Sequence, residues 1–402
     1  MYNIKLTDYV PEPQPATSDY LVCAHYYAAW KKGAAEIHGG FDDLHDYPER
    51  IPLAGYYDEE NPEYTDWEIK WAVEHGINCF IYCWYRRKEN VGHPVTGEGL
   101  RCGHGLHEAL FNARYQKYMK FAIMFEASSR WGSTTPDDMM ENLMPFWMEE
   151  YFKRGNYLIV NNKPVLFVYE WQEFGKAFAN ARQQAEVFEK CRQYCKACGF
   201  DGMIIAAQER RADKALREEI LERGFDFAFS YNWFFRGEEN APENVLIDAQ
   251  YKYYKQHIDL DPKSYIPTAS CFWDPEPRTT QHWKDLGFTY GQGKYDRTWY
   301  INPDGFRETL KKCKELSDSL PDTNQGKGII MIDNWNEWDE GHYVAPSHRF
   351  GFRYLQAIRE ELTHRNNLPD YRMPQDLGLS DFNKSWDTPD LGEICKKRFN
   401  LK

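Results

Sequence analysis

Two glutamates three positions apart, Glu337 and Glu340, stand in the run Trp335-Asn336-Glu337-Trp338-Asp339-Glu340-Gly341-His342-Tyr343, directly after the apolar stretch 328–333. Carboxyl groups between indole rings at the end of an apolar strand are costly to bury without a purpose. Burial beside Trp335 and Trp338 raises the pKa of one carboxyl and makes it a proton donor, and an ionised neighbour raises it further. Two carboxyls whose pKa values are pushed apart are what cleavage of a glycosidic bond demands. One protonates the leaving oxygen and the other supports an oxocarbenium-like transition state.

Such residues need a scaffold. Apolar, β-branched and aromatic runs at 20–26, 77–84, 121–126, 165–170, 203–208, 225–231, 266–272 and 328–333 alternate with segments of helical period. Those segments lie near 66–75, 104–118, 136–153, 177–197, 213–223, 243–258, 304–320 and 352–363. Near-continuous apolar strands, each followed by a helix, indicate a parallel sheet covered on both faces. Eight such units predict closure into an α/β (β/α)8 TIM barrel in a single domain. Residues 1–19 read as a lead-in, 20–365 as the catalytic barrel and 366–402, polar and broken by prolines, as a C-terminal tail packed on it. Gly155 to Pro164 reads as a short hairpin insertion before the fourth strand, turning at Asn161-Asn162, residues that tolerate the left-handed conformations of tight turns.

In such barrels the site lies at the C-terminal ends of the strands. The candidates there are Tyr26 after strand one, Trp84 and Tyr85 after strand two, and Glu126 and Trp131 after strand three. Next come Glu170 and Trp171, then Glu209, then Asn232 and Trp233, then Trp273, and finally Trp335, Asn336, Trp338, His342 and Tyr343 around the glutamate pair. Carboxylates and aromatics converge on one rim, as a sugar-binding cleft requires. Glu126, Glu170, Glu209 and the Glu337/Glu340 pair all compete for the two carboxyl roles. Trp338, between the paired glutamates, is the first choice for a cleft wall.

Composition narrows the alternatives. Net charge is −13 without a basic block, which argues against nucleic acid as a partner. No stretch approaches the roughly 20 apolar residues of a membrane span. The start lacks a basic segment followed by an apolar one, so no secretory signal is read and a cytoplasmic location is expected. The ten cysteines read as small, reduced core residues, and no paired Cys-x2-Cys or histidine spacing suggests zinc. No metal or organic cofactor is expected, and no G-x-G-x-x-G or Walker-type loop appears. Trp, Tyr and Phe make up 16% of the chain, enough to furnish a core and still leave rings for stacking on sugars.

The run 335–343, with Pro346 and the following Tyr354-Leu355-Gln356-Ala357, resembles the glycoside hydrolase family 99-like (WbsX-type) group, related to endo-α-mannosidases. Its members carry W-N-E-W-x-E-G-x-Y-x-x-P before a Y-L-x-A helix. Pro52-Leu53-Ala54-Gly55-Tyr56-Tyr57-Asp58 and Glu74-His75-Gly76-Ile77-Asn78-Cys79-Phe80 resemble its upstream segments, so the likeness spans about residues 20–361. Asp339, His342 and the segment 125–131 depart from the group's usual pattern. The resemblance implies a barrel that hydrolyses α-linked, mannoside-like bonds of oligo- or polysaccharides with retention. Glu337 would take the proton of the substrate's 2-hydroxyl, forming a 1,2-anhydro sugar, and Glu340 would act as acid and then base. The competing readings are a glycosyltransferase of polysaccharide biosynthesis and a non-catalytic carbohydrate-binding barrel. A conventional double displacement pairing Glu170 or Glu209 with Glu337 is a further enzymatic option. Oligomeric state is not legible from the chain.

Overall fold

A computed structural model describes residues 9–32, 40–128, 131–233, 241–279, 298–379 and 391–400. Eight parallel strands form the barrel: β1 (Leu21–Tyr26), β2 (Cys79–Arg86), β3 (Lys120–Glu126), β4 (Lys163–Tyr169), β5 (Ile204–Gln208), β6 (Phe227–Phe229), β7 (Thr268–Ser270) and β8 (Ile329–Asp333). Their order is β6-β5-β4-β3-β2-β1-β8-β7. The ring closes where Ala228 of β6 bridges Tyr265, on the chain entering β7. Every residue of β2 and of β8 is buried, as strands covered on both faces require.

Among the described residues, six regular helices wrap the sheet: α1 (Pro62–Glu74), α2 (Ala181–Ala197), α3 (Lys214–Glu222), α4 (Glu243–Leu260), α5 (Pro303–Asp318) and α6 (Arg353–Leu362). Their starts are chemically marked. Asn61 caps α1 through Glu63 N, and Asn302 caps α5 through Asp304 N and Gly305 N, each followed by a proline at the first helical position. α5 turns Phe306, Leu310, Cys313 and Leu316 inward on one stripe. Residues 136–152 are helical with two wide, π-type turns.

The helix expected over 104–118 is instead a chain of short turns. The reason is local. The Asp66 carboxylate of α1 accepts from Arg114 N at 3.0 Å and Tyr115 N at 2.7 Å, drawing those amides out of a helical ladder. The hairpin before β4 is present: Ile159–Val160 pairs antiparallel with Lys163 and Pro164, and Asn161 and Asn162 both have positive φ. Residues 366–379 lie along α1, where Asp370 N donates to Glu74 Oε2 at 2.8 Å, and the helix Leu391–Phe399 reaches Glu49 and Glu276 through Arg398. Residues 1–8 of the lead-in and 380–390 and 401–402 of the tail lie outside the described residues.

Contacts across the ring fix which side chains point inward. The His25 ring lies 4.6 Å from Tyr231 and 5.9 Å from Phe229, and Phe167 meets Phe229 edge-on at 5.2 Å. Strand register then carries Glu126, Tyr169, Gln208 and Phe229 along the same inner face. That row is the interior wall of the barrel mouth.

Candidate active site

After β8 the chain turns across the C-terminal mouth as a tight hairpin, with Asn336 paired to Tyr343 and Glu337 to His342. Trp335 N donates to His25 O at 2.7 Å, which continues the β8–β1 pairing into the hairpin. Gly341 sits at its tip with φ +68, and a Cβ there would stand 2.8 Å from both Arg50 Nη1 and Asp274 O. Only glycine fits such an approach without displacing backbone. Arg50 binds Asp274 at 2.6 Å and donates to Trp338 O at 3.2 Å, so the loop after β7 and the hairpin are held by one guanidinium.

The hairpin brings both candidate carboxylates together. Glu337 is buried and accepts from Tyr231 OH at 2.5 Å, Asn334 Nδ2 at 3.2 Å and Arg278 Nη2 at 2.9 Å. Glu340, partly buried, accepts from Trp273 Nε1 at 3.3 Å and contacts Arg278 Nη1. His342 lies between them: its Nε2 is 3.0 Å from Glu337 Oε2 and 2.9 Å from Glu340 Oε2, while its Nδ1 contacts Asp333. Asp339 is buried against Arg278, with paired contacts of 3.0 and 3.1 Å. Four carboxylates, one guanidinium and one imidazole thus share the mouth of the barrel.

Their protonation follows from that crowding. Burial alone lifts a carboxyl, but for Glu340 the charges of Arg278 and His342 outweigh it and hold it down to about 2. Burial opposes a charged His342, yet Asp333 and Glu337 overcome it and push the imidazole well above the usual histidine range. At neutral pH Glu340 is therefore ionised and His342 is a cation. The sequence predicts that indole contact raises a carboxyl of the pair; at Glu340 the neighbouring cations override that effect of burial.

Behind the hairpin, a second layer holds its intervening side chains. Trp335 Nε1 donates to Glu68 Oε1 at 2.8 Å and Tyr26 OH to Glu68 Oε2 at 2.7 Å. Asn336 Nδ2 donates to Glu59 Oε1 at 3.1 Å, and its own Oδ1 accepts from Tyr27 N at 2.8 Å. Trp338 Nε1 donates to Tyr57 OH at 3.1 Å. Burial pushes Glu68 up to about 8 despite the donors it accepts, so this carboxyl sits near neutrality without a cationic partner.

Several expected cleft residues are therefore corrected. Trp335, Trp338, Asn336, Tyr343 and Tyr26 are fully buried and support the hairpin from behind. Trp338 packs on Tyr343 at 4.3 Å and forms no cleft wall. Trp84 points outward between strands and helices, meeting Phe125 and Trp147 edge-on and donating to Tyr151 OH at 2.9 Å. Trp171 is buried with Arg223 5.9 Å from its ring, and Trp233 packs on Trp299 at 5.0 Å. Glu209 also faces away: it contacts Arg217 of α3 and lies 2.7 Å from His257 Nδ1 of α4. Its neighbour Gln208 takes the inward position.

Other candidates do gather at the mouth. Glu126 faces inward beside Ser128, Tyr85 lies edge-on to Trp131 at 6.1 Å, and Trp273 touches Glu340. Glu170, at positive φ, contacts Arg210 on the rim, and Asn232 is buried with its Oδ1 unbonded among the described residues. Arg130, which precedes Trp131 in the chain, lies outside the described residues. A groove of about 500 Å3 between residues 136–141 and α2 lies on the helical layer, away from the strand ends where the charged cluster sits.

Sequence reasoning missed Arg278, Asp333, Glu59 and Glu68. An excess of acidic residues at one rim was the available signal that a buried cation must arrive from elsewhere in the chain. It also missed that Glu337, Glu340 and His342 offer ligand atoms within 4.8 Å of one another. Arg278, in contact with both carboxylates, already supplies positive charge at that point.

The family described as Glycosyltransferase WbsX matches residues 134–358, which include β4 to β8 and the whole hairpin that carries Glu337 and Glu340. The chain belongs to the WbsX family. Two curated relatives, each described as uncharacterized protein WxcX, come from Xanthomonas campestris pv. campestris strains B100 and ATCC 33913. Both are 23% identical, over 89% and 88% of this chain and 51% and 50% of their own length, so the chain spans about half the length of these relatives. Among solved structures, a glycoside hydrolase-like protein superposes with TM-score 0.60 at 16% identity, covering 89% of this chain and 98% of that one. The GH99 endo-alpha-mannosidase from Bacteroides thetaiotaomicron superposes with TM-score 0.54 at 15% identity, covering 86% and 97%. At such identities the likeness establishes the fold: this WbsX-family chain is a (β/α)8 barrel.

Two outcomes test the second layer. Trp338→Ala should lose about 3–5 kcal/mol of folding stability, as emptying a buried tryptophan site does, measured by denaturant unfolding. Near-native stability with weakened sugar binding would return Trp338 to the cleft. For Glu68, a folded-state pKa above the unfolded value means its contribution is full below about pH 4.3 and is lost as pH rises through about 8. Glu68→Gln should therefore be less stable than the parent at pH 5, with the gap narrowing by pH 8.5. A gap independent of pH would show that Glu68 is ionised throughout.

Proposed function

We propose that this chain is a retaining glycoside hydrolase acting on α-linked, mannoside-like bonds in oligo- or polysaccharides, with Glu337 and Glu340 as its catalytic residues. One observation carries the reading. The two carboxylates stand on one rigid hairpin at the C-terminal mouth, and each has an oxygen about 3 Å from the same imidazole nitrogen. Oxygens of the pair lie within 4.8 Å, which suits retention; inverting pairs stand about 6.5–9.5 Å apart to admit a water. Glu209, tied to Arg217 and His257 outside the barrel, does not serve a double displacement across strands.

In this mechanism Glu337, whose oxygens face donors, receives the proton of the 2-hydroxyl as that oxygen attacks C1. The departing oxygen takes a proton from the Glu340 side, and water then opens the 1,2-anhydro sugar by the reverse transfers. Tyr231 and Asn334 fix Glu337 in place before substrate arrives, so little reorganisation is needed at the moment of reaction. Tyr85, Glu126, Tyr169, Trp131 and Trp273 supply hydroxyl, carboxylate and ring contacts for the sugar. The family's description favours a transferase instead. That reading needs an activated sugar donor, and its product is a new glycoside where hydrolysis yields a reducing sugar.

The test is a screen of purified protein against α-linked oligosaccharides, with the anomer released followed by proton NMR. Initial release of the α-anomer is expected; the β-anomer would exclude retention. Glu340→Gln should lose about 10²–10⁴ in kcat on unactivated substrates and far less on activated aryl glycosides. Equal losses on both would remove Glu340 from proton transfer. Chelation should leave the rate unchanged, whereas a loss restored by calcium would place an ion between Glu337 and Glu340.

A further inference from the structure

Glu340 in contact with Arg278 is a poor source of protons. A carboxylate paired with a buried guanidinium holds its charge, and in this site burial, the first influence on it, is outweighed by Arg278 and His342. The proton for the leaving oxygen must come from a group that carries one at neutral pH and touches Glu340. Asp339 is bound to the same guanidinium, and Trp273 Nε1 does not titrate in water. Among the described groups that touch Glu340, His342 carries such a proton, with its Nε2 2.9 Å from Glu340 Oε2.

We infer that His342 is the proton reservoir of the site, and that Asp333, His342 and Glu340 form a relay from the barrel interior to the leaving oxygen. The inference rests on the hydrolase reading above. Asp333 contacts Nδ1, which fixes the ring and leaves Nε2–H directed at the two catalytic carboxylates. This is a positioning and proton-supply role exercised through Glu340. In the first half-reaction Nε2–H passes to Glu340 Oε2 as Glu340 gives a proton to the glycosidic oxygen. The C1–O bond breaks, the C1–O2 bond forms, and the 2-hydroxyl proton goes to Glu337. In the second, water adds at C1 as the C1–O2 bond breaks; water gives a proton to Glu340, which passes one to His342, while O2 recovers its proton from Glu337. Nothing is oxidised or reduced, and the site ends as it began.

The surroundings of the ring support a single titration. Asp333 ends β8, Glu337 and Glu340 share its own hairpin, and Arg278 stands behind both. The other titratable groups around it are Tyr231, whose ring is edge-on at 5.8 Å, His25 of β1, Cys83 of β2 and Cys271 after β7. Burial, followed by the charge of His342, holds His25 down to about 3, and burial raises Tyr231, Cys83 and Cys271. Among the described groups around the ring, burial keeps those four neutral and His342 is the one whose positive charge is a transferable proton.

Three measurements decide it. His342→Gln should lower kcat on an alkyl α-mannoside by about 10²–10⁴ with KM nearly unchanged, while turnover of α-mannosyl fluoride, which leaves without a proton, falls less than about tenfold. Asp333→Asn keeps an acceptor for Nδ1–H but removes the charge, so the alkaline limb of kcat should move to lower pH. Nitrogen-15 NMR of the imidazoles, with His342→Gln for assignment, should find this ring doubly protonated at pH 8. A neutral ring at pH 7, an unmoved alkaline limb in Asp333→Asn, or equal losses on both substrates in a folded His342→Gln would each overturn the relay. A wild-type protein inert toward every glycoside would sink the hydrolase reading and the relay's task with it, while the imidazole signal still reports whether the proton is there.

Discussion

Holding four carboxylates inside the mouth of a barrel is the constraint on which the site depends. Asp333, Glu337, Asp339 and Glu340 lie within one turn of chain, and their mutual repulsion in a poorly solvated setting would unfold the hairpin if nothing answered it. Arg278 and His342 answer it with different geometry. The guanidinium is a planar fork and reaches three carboxylates at once, while the imidazolium is a two-ended donor that joins Asp333 to the catalytic pair. Among the described residues, these two cationic groups face four carboxylates.

Rigidity is supplied from behind. Tyr57, Glu59 and Glu68 each accept from a side chain lying in or beside the catalytic turn: Trp338, Asn336 and Trp335 respectively. The catalytic turn is thus fastened on its buried side by α1 and the chain leading into it, and on its open side by Arg50 and Arg278. A turn held on both sides presents its carboxylates in one geometry, and pre-organised charge is worth more in a site than charge that must be gathered.

Much of the fold was written in local pattern. Apolar runs such as 77–84 and 328–333, each followed by an amphipathic segment, are sufficient to imply strands covered on both faces, and Asn161-Asn162 marks a turn by its own conformational tolerance. The segment 104–118 shows the limit of that logic. Its helical period is real, but the Asp66 carboxylate, 48 positions from Arg114, captures the amides a helix would use. A competitor that distant has no trace in a local window.

For the site, the sequence by itself determined that two glutamates share one turn at the end of the last strand, with glycine at the tip and one tryptophan between them. Only the tertiary structure decided where each side chain points. Glu209 and Gln208 are neighbours on one strand end, and the pleat sends one outward to Arg217 and the other inward; a reading uncertain by one residue exchanges them. The same holds for the tryptophans, whose spacing is compatible with a cleft or with a core, and whose burial depends on helices elsewhere in the chain. Arg278, 62 positions before Glu340, reaches the carboxylates because β7 pairs directly with β8. Charge pairing inside a barrel is a property of strand neighbours in space, and adjacency of that kind is fixed by the pairing of strands in the sheet.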